Sequence, residues 1–252
     1  MNTKTIDEYT KILYRIYEEN ALVSLEDNEF KYKDINVMQF PRNSEYNEPK
    51  FQPMINFWDT INCNKDLKFF VGQLFMYRPY INNPLEETLL MPDGEVISTY
   101  HQNLYDHRYS TFITCCFEKC YNFWDRIGDN IASFFPELLK IHQVDFIRIL
   151  DRIKQLKIEN EHLDWLLNFK DNEYKELNSY RKEFVHYSQF AAKYRYDHAM
   201  NLSNFETLGT MWKEKFGFAD YFRIQLELSS EGYFRMLKFI EFIRDHSYNQ
   251  QK

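Results

Sequence analysis

The chain has 252 residues, of which 44 % are hydrophobic and 18 % aromatic, and it carries a formal net charge of −7. That length and apolar load suffice to bury the core of one large domain or two small ones and exclude general disorder; the acidic balance excludes a protein that coats nucleic acid through a broad basic face. Only 6 Gly and 7 Pro interrupt the chain, and no run of 18 apolar residues occurs, which points to long helices and to no membrane-spanning segment.

In chain order, residues 5–22 are predicted as a first helix. Thr5 and Glu8 have capping-box spacing, and Ile6, Tyr9, Leu13, Ile16 and Tyr17 recur at helical period. Residues 24–52 lose that periodicity and are expected to form a loop. A second helical region covers 53–77, with a break expected near Asn62–Asn64. Leu89-Leu90-Met91-Pro92-Asp93-Gly94-Glu95-Val96-Ile97 places a Pro-Asp-Gly turn between apolar residues, the one good candidate for a β-hairpin.

The strongest pattern spans 100–135, where Tyr109, Phe112, Ile113, Cys116, Cys120, Phe123, Trp124, Ile127, Ile131 and Phe134 fall at steps that keep to one helical face. Pro136 ends it. A further long pattern runs through 138–157, and shorter helices are expected at 160–169 and 171–189. Residues 200–217, with Gly209 and Gly217, are expected to be irregular, and a last helix to run from 218 to 245. The sum is an all-α bundle of four to five core helices over 98–246, with an N-terminal helical extension over 1–97 and one small hairpin.

The stretch Met1–Glu8 lacks the apolar core of a signal peptide, and the 4 Cys are expected to be reduced thiols, so a cytoplasmic location is expected. Cys115, Cys116 and Cys120 lie on or beside the apolar stripe and, with only Cys63 elsewhere, are better explained as small buried hydrophobes than as a metal site. Glu159-x-x-His162 and Glu183-x-x-His186 have the spacing of di-iron carboxylate bundles, but only 24 residues separate the copies, too few for an intervening helix; no metal or other cofactor is expected. His101, Asp106 and His107 could form a polar cluster at the start of the long helix. No G-x-x-x-x-G-K-[ST], G-x-G-x-x-G or G-x-S-x-G occurs.

The segment Tyr180-Arg181-Lys182-Glu183-Phe184-Val185-His186-Tyr187-Ser188 separates Arg181 from His186 by four residues. This resembles the R-x4-6-H signature of the HEPN family (higher eukaryotes and prokaryotes nucleotide-binding), helical bundles that often act as metal-independent ribonucleases. The pair lies late in an all-helical chain, where the family keeps it, and Tyr121-Asn122-Phe123-Trp124-Asp125-Arg126-Ile127-Gly128-Asp129 is similar to the first long helix of some bacterial members. The family commonly has Asn, Asp or His after the arginine; here Lys182 stands there.

The resemblance implies an RNA endonuclease, as a toxin or defence effector, acting as a homodimer with an antitoxin or other protein partner. Arg181 and His186 would be the catalytic pair, with Lys182 and Tyr187 as further phosphate contacts and Asp125 or Glu183 orienting Arg181. A histidine near neutrality can move the protons of such a reaction, and a guanidinium can hold the phosphate. Five residues at about 100° each put Arg181 and His186 roughly 140° apart on a regular α-helix. A helix end, a distortion or a second subunit must therefore bring them to one phosphate. The competing reading is a non-catalytic helical dimer that binds a protein partner or a nucleotide, in keeping with the acidic charge and with Lys182.

Overall fold

Helices account for most of the polypeptide in the computed structural model, which describes residues 3–25, 31–33, 35–36, 52–187 and 189–250. They are α1 (Thr3–Glu19), α2 (Pro53–Tyr77), α3 (Leu104–Ala132), α4 (Phe146–Gln155), α5 (Glu161–Asp171), α6 (Glu173–Arg181), α7 (Phe190–Met200) and α8 (Phe205–Gln250). Two antiparallel hairpins complete the regular structure among the described residues: β1 (Lys31–Tyr32) with β2 (Ile35–Asn36), and β3 (Thr88–Leu90) with β4 (Val96–Ser98). The fold is all-α.

The second hairpin is the one expected around Pro92-Asp93-Gly94. Leu89 pairs with Ile97, and Gly94 takes φ +89°, which a side chain would resist, while its N–H donates to the Met91 carbonyl at 3.0 Å. Helix starts are set by short polar side chains. Asp145 accepts the N–H of Arg148 at the head of α4, and Asn160 accepts those of His162 and Leu163 at the head of α5. Asn103 and Asp106 form a reciprocal box at the head of α3, each side chain accepting the other's backbone N–H.

Contacts group the chain into two units. The first comprises Met1–Val23, Lys68–Glu118 and Tyr180–Gln225. Its core is an aromatic cluster around Phe117, whose ring centroid lies 4.7 Å from Phe222 and 5.6 Å from both Phe184 and Phe218. The second comprises Ser24–Leu67, Lys119–Ser179 and Leu226–Lys252. Its centre is Trp124, fully buried and stacked on Phe169 at 4.0 Å. Gly128 lets the backbone of α4 approach α3: a Cβ there would lie 2.8 Å from the N and Cα of Phe146.

Four expectations are corrected. α2 runs unbroken through Asn62–Asn64 because the buried Asn64 side chain turns outward from the helix ladder to accept the Leu25 N–H at 2.9 Å. The pattern over 138–157 becomes helical only at Phe146, where the Asp145 cap restarts the chain after a short 3-10 turn. Residues 205–217 are helical: Asn204 caps α8 through the Thr207 N–H, and buried Leu208, Lys215 and Phe218 outweigh the roughly 1 kcal/mol that each glycine costs. On α1, Ile6 and Tyr9 are exposed and Leu13 is the residue buried. Most of the stretch expected to be a loop, 26–30, 34 and 37–51, lies outside the described residues, and β1–β2 falls within its described part.

Candidate functional site

Arg181 closes α6, and the helix does not continue in α form: Lys182–Tyr187 is a π-helix. A π-helix repeats its backbone hydrogen bond every five residues instead of four, so positions five apart recur on one side, a turn apart. Positions 181 and 186 stand in that relation. Phe184 holds the segment in place. It is 3 % exposed, stacks on Tyr180 at 5.8 Å, and meets Phe117, Phe190 and Phe218 edge-on or tilted at 5.1–6.0 Å. The wider turn keeps these rings in the core while shifting the phase of the residues between them.

Around this anchor, Arg181 is half-buried and Lys182 exposed. Glu183 forms an ion pair with Lys193 of α7 at 3.4 Å, and Lys193 also binds Asp197 at 2.9 Å. The backbones of His186 and Tyr187 are part of the π segment; their side chains lie outside the described residues. Asp125 belongs to the second unit and Arg181 to the first. Burial pushes the Asp125 carboxyl up to about 6, opposed by the Phe146 backbone N–H and assisted by Asp145 and Asp129.

The remaining candidates sort by geometry. Nδ1 of His162 accepts from the Arg235 guanidinium at 3.1 Å, so that nitrogen is already engaged by a cation; burial is the main cause of the lowered His162 pKa. Among the described residues, no three His, Cys, Asp or Glu side chains come together as a metal site. None of the four cysteines is in a disulfide, Cys116 and Cys120 are buried, and burial raises the Cys120 thiol.

Asp106 does not join His101 and His107. It is fully buried and forms an ion pair at 2.7 Å with Lys215, which is also fully buried. This pair was missed in the sequence, although Lys215 sits seven residues from both Leu208 and Phe222 on a buried helical stripe, where a lysine needs a counter-charge. Burial draws the Lys215 ammonium down despite Asp106. Above the pair, Tyr100 and Tyr194 line a cavity of about 490 Å³ that also contains Ser98 and the buried His198.

No helix among the described residues is long and apolar enough to cross a membrane. Compared with known proteins, residues 76–241 match the family model described as Cthe2314-like HEPN. No curated protein and no solved structure matches the chain. The matched region contains the Tyr121–Asp129 stretch, the π segment with Arg181 and position 186, and most of α8; the chain belongs to the HEPN family.

Proposed function

We propose that the protein is a metal-independent RNA endonuclease, working as a homodimer in the role of a toxin or defence effector. The observation that carries this reading is the π segment. In a HEPN chain it supplies the distortion that a four-residue spacer requires, and it puts positions 181 and 186 in register on one side of the helix.

The chemistry asks for little more. The 2′-hydroxyl of a ribonucleotide attacks the neighbouring phosphorus, the bond to the 5′-oxygen breaks, and a 2′,3′-cyclic phosphate and a free 5′-hydroxyl result. His186 either removes the 2′ proton or returns one to the departing 5′-oxygen. Arg181 binds the non-bridging oxygens through its guanidinium fork and stabilises the charge that builds on them. Lys182, exposed beside it, and Tyr187 add phosphate contacts. Glu183 orients the segment through Lys193.

The test is incubation of RNA with purified protein in excess chelator. Cleavage that leaves cyclic phosphate ends, and falls by about 10²–10⁴ in His186→Ala and Arg181→Ala, is the expected outcome. Cleavage that persists in both variants would end this assignment. A folded dimer that cleaves no RNA at all would leave the non-catalytic reading.

A further inference from the structure

The cavity on α7 is built differently from an ordinary surface cleft. Two of its polar groups are buried: Ser98, 2 % exposed, and His198, 7 % exposed, whose Nε2 lies 3.0 Å from the Ser98 hydroxyl. That hydroxyl donates its proton to the Pro84 carbonyl at 2.7 Å, so it must accept from the imidazole. Ser98 is therefore not an activated nucleophile, and His198 carries its proton on Nε2. Nδ1 is left as a hydrogen-bond acceptor without a partner among the described residues, on a ring that forms part of the cavity wall. Burial and the neighbouring His101 both disfavour protonation there.

The walls add two further requirements. Tyr100 and Tyr194, each at least nine-tenths buried, present aromatic rings, and Lys215 behind them fixes Tyr194 with its ammonium 4.6 Å from the ring centroid. Arg195 and His101 stand exposed at the mouth, and among the described residues no acidic side chain lines the cavity. An occupant should then be flat, bring a hydrogen-bond donor, and carry an anion. A nucleotide combines all three: a base that stacks on tyrosine, a ring or exocyclic N–H, and a phosphate.

We propose that this cavity holds a nucleotide next to the scissile phosphate of an RNA strand. The base would lie against Tyr100 and Tyr194 with an N–H on Nδ1 of His198, and the phosphate on Arg195. The assignment rests on the RNA-cleavage reading and extends it. Its location agrees: Gln189, which precedes α7, is three residues beyond His186, at most about 11 Å of chain, and Ala191 already lines the cavity.

The experiment uses the full chain carrying His186→Ala, so that the strand stays intact, and a fluorescent single-stranded ten-nucleotide RNA. Arg195→Ala should weaken binding about tenfold, the loss of one charge-assisted contact. Ala199→Trp, which fills the cavity from an exposed position, should weaken it at least as much. In the chain with His186 intact, the same two variants should raise KM and leave kcat unchanged, because the contact is made equally before and during reaction. RNA bound as tightly by both variants as by the parent would overturn the proposal, even where cleavage depends on Arg181 and His186. Binding of a free mononucleotide that both variants abolish, with RNA not bound, would also overturn it.

Discussion

Lys215 and Asp106 face each other 2.7 Å apart with no exposure to solvent, and at such a site the cost of removing one partner exceeds the net value of the pair. Lys215→Met should therefore destabilise the protein by about 3 kcal/mol, read by urea denaturation. Adding Asp106→Asn to that variant should recover part of the loss, because the remaining carbonyl oxygen still accepts the backbone N–H groups of Asn82 and Asn103. A double variant no more stable than the single one would show that the unpaired carboxylate is not what destabilises the single variant. At this scale spacing alone singles out Arg181 and His186 in the sequence, as the pair that the proposed function rests on. The pairing of Lys215 with a residue 109 positions earlier, and the tautomer of His198, depend on tertiary partners that no local pattern encodes.

α3 and α4 meet where Gly128 leaves no room for a side chain. Gly128→Ala must push against backbone atoms, which cannot rotate away, and should lower stability by about 2 kcal/mol; a shift in thermal midpoint measures it, and an unchanged midpoint would mean that α4 slides along α3. Most elements were legible because their buried faces recur at helical period, α3 above all. α7 was not assigned, although Phe190, Tyr194 and His198 follow at four-residue steps and all are buried; one polar residue in three positions blunted the pattern. The onset of α8 was hidden by Gly209 and Gly217, whose cost packing outweighs. The π segment left no trace in composition. It lies where Tyr180, Phe184 and Phe190 all reach the rings of Phe117 or Phe218, contacts made with other helices.

For the molecule as a whole, a net charge of −7 means that the RNA of the proposed reaction would have to be drawn in by a few local cations. The proposed dimer raises the question of whether each protomer holds a complete pair. The register of the π segment favours pairing within one chain, so mixing Arg181→Ala with His186→Ala protein should restore no cleavage. Recovery to about a quarter of the parent activity would instead show that the two groups meet across the two-fold axis, since about half of all dimers would be mixed and each of these would carry one of its two sites intact. A helix with an extra residue in its ladder has slack. It can take up or give back a residue between the guanidinium and the imidazole while the aromatic anchors on either side keep their seats, so the length of this motif is free to drift where most functional spacings are rigid.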